Sequence, residues 1–280
     1  MATICIVGAG ELGGSVAHAL ARGERVSRVV LIDERGTVAA GKALDIQQSG
    51  AIEGFHTRVD GAQDVTRVTG CTVCVIADVA PAVEWQGERG LALMARLKGF
   101  VGDAPIVFAG TEQSDLLLKS VGEVHLNRQG VIGSAPEALA AAAKGIVALE
   151  ARCAASEVAL SILGRPPAGF VVPWSDASIG GYALDRVLTP VEVRRIEARL
   201  ARLWPPGPHA LGLAAARVVE AIVTSHRRRF AVLTVLGGEF GVRDRVGVLP
   251  CLLGPSGILD VSPPTLNARE RVQVETALGT

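Results

Sequence analysis

The chain has 280 residues, 28 basic against 28 acidic side chains, and 49% hydrophobic against 20% charged residues. At roughly 100–200 residues per domain this length suits one large or two modest domains, and the apolar share excludes a disordered chain. A formal net charge of zero and only 6 Phe, 3 Trp and 1 Tyr argue against a general nucleic-acid or anionic-membrane binder.

In chain order, strand-like runs are expected at Thr3–Val7, Val29–Ile32, Thr72–Ala77, Ile106–Ala109 and Val131–Gly133. Helical patterns lie between them at Glu11–Arg22, Thr37–Gln48, Glu88–Phe100 and Ser114–Val121. Short β-branched runs alternating with helices imply βαβ units and a parallel sheet. After Ser134 the regularity changes. Ser134-Ala135-Pro136-Glu137 has the form of a capping box with Pro in the first turn, opening a helix to about Arg152. Thr189-Pro190-Val191-Glu192 opens another to about Trp204, and a third covers Leu211–Thr224. Strands at Phe230–Leu236 and Arg245–Leu253 and a helix from near Asn267 complete the chain. The expected fold is α/β: a Rossmann-type doubly wound parallel sheet in residues 1–134, then an α+β second domain in residues 135–280.

No targeting or membrane segment is read: the first residues lack a basic lead, and no apolar run reaches the roughly 18 residues of a bilayer span. Five scattered cysteines suit a reducing, cytoplasmic setting. Cys71 and Cys74 fall in a strand-like run, where residues three apart face opposite ways, so they are expected to be buried structural residues and not a redox pair.

Gly8-Ala9-Gly10-Glu11-Leu12-Gly13 is a G-x-G-x-x-G directly after a strand and opening a helix. Gly8 permits the tight turn, Gly10 lets a pyrophosphate approach the backbone, and Gly13 lets helix and strand pack closely. Asp33 ends the second strand about 20 residues past the last glycine, where a carboxylate takes the adenosine ribose hydroxyls and selects NAD. The expected cofactor site comprises Gly8, Ala9, Gly10, Glu11, Leu12, Gly13, Asp33 and Ala77, with NAD(H) or a related nucleotide as ligand.

With these residues in view, the chain resembles the malate/lactate dehydrogenase family nearly end to end. Gly41-Lys42-Ala43-Leu44-Asp45-Ile46, Val131-Ile132-Gly133-Ser134, Val172-Pro173-Trp174-Ser175, Gly238-Glu239-Phe240-Gly241-Val242-Arg243-Asp244 and Leu249-Pro250-Cys251-Leu252-Leu253-Gly254 match successive family stretches in order. The resemblance implies hydride transfer between a 2-hydroxy acid and nicotinamide, a His–Asp proton pair, carboxylate-binding arginines, and a homodimer or tetramer. Set against the family pattern, Pro166 takes the place of the catalytic His, Leu139 that of its Asp, and Ala142 and Gly90 those of two arginines. Arg89 is one residue from the latter place, and Arg165 is a second spare cation. The other histidines, His18, His56, His125, His209 and His226, fall elsewhere. No catalytic residue is therefore assigned, and no metal site. Glu11, Asp78 and Glu112 would border the cleft, which raises a cationic or metal-bridged ligand as an option.

The expected function is that of a dinucleotide-binding relative unable to oxidise malate or lactate by the His–Asp mechanism, a pseudoenzyme with a binding, sensing or assembly role. The alternative is an active NAD-dependent 2-hydroxy acid oxidoreductase with altered substrate and acid/base residues. Nucleic-acid binding has only the His226-Arg227-Arg228-Arg229 run behind it and is set aside, as is a membrane partner.

Overall fold

The computed structural model describes residues 2–279. In chain order its strands and helices are β1 (Thr3–Val7), α1 (Glu11–Gly23), β2 (Arg28–Ile32), α2 (Gly36–Glu53), β3 (Arg58–Ala62), β4 (Val73–Ile76), β5 (Asp78–Val79), β6 (Val83–Glu84), α3 (Gly87–Val101), β7 (Ile106–Phe108), α4 (Ser114–Gly122), β8 (Val131–Gly133) and α5 (Ala135–Ala151). The second half adds β9 (Val158–Ala159), β10 (Leu163–Arg165), β11 (Gly169–Val171), β12 (Ser178–Ile179), β13 (Tyr182–Ala183), α6 (Pro190–Leu200), α7 (Pro208–Thr224), β14 (Arg229–Gly237), β15 (Arg243–Gly254), β16 (Gly257–Val261) and α8 (Ala268–Gly279).

One mixed sheet forms the frame, in the order β11-β10-β15-β14-β8-β7-β4-β1-β2-β3 with β16 beside β15. From β3 to β8 every pairing is parallel. Such strands are covered on both faces, which is why Thr3–Val7 and Val73–Ile76 read as unbroken apolar runs. The join to the antiparallel part pairs Leu233 of β14 with Gly133 of β8. A Cβ at Gly133 would stand 2.8 Å from that of Leu233, so the closeness of the join depends on glycine. The strand order reverses at β1, whose neighbours are β2 and β4. In such sheets the crevice beyond the carboxyl ends of those strands is the natural ligand seat.

Two apolar cores pack on the sheet. One joins β1, α1 and α7 through residues such as Ile4, Leu20 and Val218; the other joins β4, α3 and α5 through Met94, Leu97 and Leu139. Cys5, Cys71 and Cys74 are buried free thiols, but the strand argument for the last two does not apply: Cys71 precedes β4, and all three pack in one core cluster. Burial pushes the Cys74 thiol up, away from reactivity. Among the described residues no helix is long and apolar enough to cross a membrane.

The two expected capping boxes part company. Thr189 and Glu192 form one in full, each side chain bonding the other's backbone N–H. At Ser134 the box does not form: the Ser134 hydroxyl donates to the Phe108 carbonyl at 3.2 Å, and Glu137 turns away from the helix start. Its carboxylate instead takes Arg228 and, at 3.0 Å, the Ala231 N–H, tying α5 to β14. The arginine of the basic run thus has a structural duty, and it also lies 4.3 Å over the Phe230 ring. Burial raises the Glu137 pKa, opposed by Arg228 and the Ala231 N–H. Glu137→Ala leaves that buried N–H without a partner and should lower unfolding free energy by about 1–3 kcal/mol. Urea denaturation of the variant against wild type measures it, and an unchanged midpoint would contradict the assigned tie.

Candidate active site

The turn after β1 is built as its glycines require. Gly8 has φ +114°, a region costly for any residue with a side chain, and a Cβ there would meet the Asp78 carbonyl oxygen at 2.4 Å. At Gly13 a Cβ would lie 2.0 Å from the Gly8 carbonyl oxygen, so close packing of α1 on the turn demands glycine. Ala9 and Ala77 are fully buried beside it, and Leu12 nearly so. Glu11 is exposed on the first turn of α1. Lys42, from the matched α2 segment, donates to the Gly10 carbonyl at 2.6 Å and brings one cation to the turn. Gly13→Ala should destabilise the fold by about 1–3 kcal/mol through overpacking, read as a lower thermal midpoint; an unaltered midpoint would refute the close packing.

At the second position of the motif the structure departs from the expectation. The space above Gly10 is filled by the Asp78 side chain, since a Cβ on Gly10 would stand 2.3 Å from Asp78 Oδ2. The Leu12 N–H donates to that oxygen at 3.2 Å and the Gly13 N–H to Oδ1 at 2.8 Å. These are helix-start donors with no partner within α1, the groups that would otherwise cradle a phosphate. Asp33 is likewise engaged. Its Oδ2 accepts from the Ala9 and Ala80 N–H groups at 2.8 and 3.2 Å, and its Oδ1 from Arg35 N–H at 2.9 Å. Only 2% of Asp33 is exposed, so a ribose cannot reach it in this arrangement.

Asp78 and Ala80 belong to a short hairpin, β5 and β6, in which Asp78 lies directly opposite Glu84. Glu84 fills a second nest, in the turn leading into α4. It accepts from Thr111 N–H at 3.0 Å and Glu112 N–H at 2.9 Å, and a Cβ on Gly110 would meet its Oε2 at 2.1 Å. Glu112 itself points outward and is exposed. Gln113, nearly buried, bridges the Gly110 N–H and, at 3.5 Å, the Ala77 carbonyl. As folded, the crevice does not fit a dinucleotide, because its own carboxylates hold both sets of backbone donors. Nor do Glu11, Asp78 and Glu112 converge on a cation; no group of three metal-ligating side chains occurs among the described residues.

Burial raises the Glu84 pKa, the backbone donors of Glu112 and Thr111 oppose the shift, and the charges of Glu112 and Asp78 add to it. The folded chain therefore holds this proton more tightly than the unfolded chain does. Glu84's contribution to stability is present below its ordinary carboxylate range, near 4.3, and is lost as pH rises through the raised pKa. Relative to Glu84→Gln, wild-type stability in urea titrations should fall as pH rises from the ordinary carboxylate range through the raised pKa; a difference flat with pH would contradict the shift.

The positions aligned with family catalysis are spread over three elements. Leu139 is fully buried in the core of α5, and Pro166 is buried in the turn between β10 and β11. Ala142 is exposed on α5 and lines a groove of about 920 Å³ between α5 and α7, which Lys144, Arg217 and His226 also face. Gly90 is buried in α3, where a Cβ would meet Leu116 at 2.9 Å. Arg89 lies 4.7 Å over the Trp85 ring and pairs with Glu34 at 2.7 Å, residues next to Glu84 and Asp33 in the chain. His18 bonds Glu53 at 2.7 Å, and His56, exposed, lies 3.3 Å from Glu24. Glu84 is the residue that sequence reasoning missed. The available signal was its place six residues after Asp78, but only the hairpin turn brings both into the crevice.

A family profile described as lactate/malate dehydrogenase, NAD binding domain, matches residues 2–96. The malate dehydrogenase of Thioalkalivibrio sulfidiphilus is 27% identical, with 99% of this chain and 96% of that protein covered. That of Cytophaga hutchinsonii is 28% identical over 98% and 94% of the two chains. The chain is thus a full-length relative of malate dehydrogenases, with the NAD-binding domain of the lactate/malate dehydrogenase family in its first third. The fold agrees: the malate dehydrogenase structure from Aeropyrum pernix superposes with a TM-score of 0.90 at 20% identity, covering 99% of this chain and 95% of that one. A minor L-lactate dehydrogenase from Enterococcus mundtii gives 0.88 at 18% identity, covering 99% and 95%. The expectation of a binding, sensing or assembly protein without turnover is overturned by these relatives, which match from end to end and are malate dehydrogenases.

Proposed function

We propose that the chain is an NAD-dependent oxidoreductase acting on a small 2-hydroxy acid, with substrate-binding and acid/base residues that differ from the family's usual set. The carrying observation is the match to malate dehydrogenases over 99% of the chain. NAD as the cofactor is supported by the match of residues 2–96 to the NAD-binding domain and by the spacing of Gly8, Gly10, Gly13 and Asp33; its binding requires that Asp78 and Ala80 first release the groups they hold. Residues 1–134 serve the dinucleotide and residues 135–280 the substrate. Pro166, Leu139 and Ala142 offer neither a proton nor a charge, so the acid and the carboxylate-binding cation come from other side chains.

The protein works as a homodimer or tetramer in the cytoplasm, by family likeness. Exposed apolar side chains on α2 and α7, Leu44, Ile52 and Leu213, give such an assembly apolar surface to cover.

The purified protein should bind NADH, seen as a change in nicotinamide fluorescence. It should also turn over at least one member of a panel of 2-hydroxy acids with NAD, or 2-oxo acids with NADH, followed at 340 nm. Binding without turnover across the panel, or no binding at all, would refute the proposal.

A further inference from the structure

The Asp78 carboxylate stands where a dinucleotide pyrophosphate would have to stand. The match is one of kind as well as place: an anion with oxygen acceptors, seated on the first N–H groups of α1, above a glycine that leaves room for it. The same hairpin repeats the arrangement at the next strand end, where Glu84 caps the Thr111 and Glu112 N–H groups above Gly110. It does so a third time through its backbone, since the Ala80 N–H donates to Asp33 and closes off that carboxylate. Cross-strand neighbours of like charge repel when directly opposed. Asp78 and Glu84 are so opposed, and each is held by two backbone donors of the crevice wall.

From this we infer that hairpin 78–84 is an autoinhibitory plug, with Asp78 an intramolecular competitor for the pyrophosphate seat. The two anions cannot share the seat, because the volume over Gly10 is already taken and both need the Leu12 and Gly13 N–H groups. A dinucleotide binds only the fraction of molecules in which Asp78 has swung out, and its apparent affinity is reduced by that fraction. The Asp78 carbonyl also accepts from Gly10 N–H at 2.9 Å, so the side chain can leave while the backbone stays anchored to the turn. Ala80 must then release Asp33 for the ribose. Identifying the displaced ligand as a dinucleotide rests on the proposed function; the self-occupied seat does not.

The test compares wild type with Asp78→Ala and Asp78→Gly by calorimetry, using ADP-ribose and NADH as separate probes. Both variants should bind ADP-ribose at least tenfold more tightly than wild type, because the competitor and its repulsion are gone. In wild type, amide hydrogen exchange over residues 79–82 should speed up as ADP-ribose saturates. Equal or weaker ADP-ribose binding by both variants would overturn the plug. Should the variants fail to fold, unchanged exchange over residues 79–82 at saturating ADP-ribose overturns it on wild type alone. Tighter ADP-ribose binding with no NADH binding in any form would sink the oxidoreductase proposal and leave the plug standing.

Discussion

Everything at the crevice depends on one constraint: the first backbone N–H groups of α1 have no acceptor inside the helix and must find one outside it. The turn at Gly8, Gly10 and Gly13 brings them to the carboxyl end of β1 with space above. In this chain the acceptor is built in. Charge-assisted bonds from Leu12 and Gly13 to Asp78 hold the hairpin down. The hairpin in turn buries Asp33 and places Glu84 over the turn before α4. A local rule of helix ends thus organises contacts across four strand ends.

The family architecture is preserved around that local change. Parallel strands β3 to β8, the reversal at β1 and the antiparallel extension through β14 and β15 give the frame seen in malate and lactate dehydrogenases. The lining of the crevice is set by Asp78 and Glu84, whose carboxylates face the backbone donors at two strand ends. Identity of about a quarter across the whole length leaves ample room for such change while the fold and its crevice persist.

Much of the frame was legible in the sequence because fully buried parallel strands and amphipathic helices leave strong patterns. Thr3–Val7 and Val131–Gly133 have the boundaries their β-branched runs suggest, and α5 and α7 fall where their Ala-rich stretches predict. The two-residue strands β5 and β6 left no such pattern. The Ser134 box does not form because Glu137 finds partners in Arg228 and the Ala231 N–H, tertiary contacts that outweigh local capping. In the site, the three glycines carry the steric duties their spacing implies, and Asp33 stands at the end of β2 as expected. That Asp78, not Glu11 or Glu112, enters the seat depends on side-chain direction at the end of a strand, which one-dimensional spacing does not contain.

The join between β8 and β14 has a mechanical consequence. Because the sheet runs on through Gly133 and Leu233 at close contact, the two halves of the molecule share one continuous sheet. Widening the crevice by swinging one half against the other would tear that seam. With hairpin 78–84 as the proposed plug, ligand entry asks for movement of those seven residues only, a change too small to alter the hydrodynamic size of the particle.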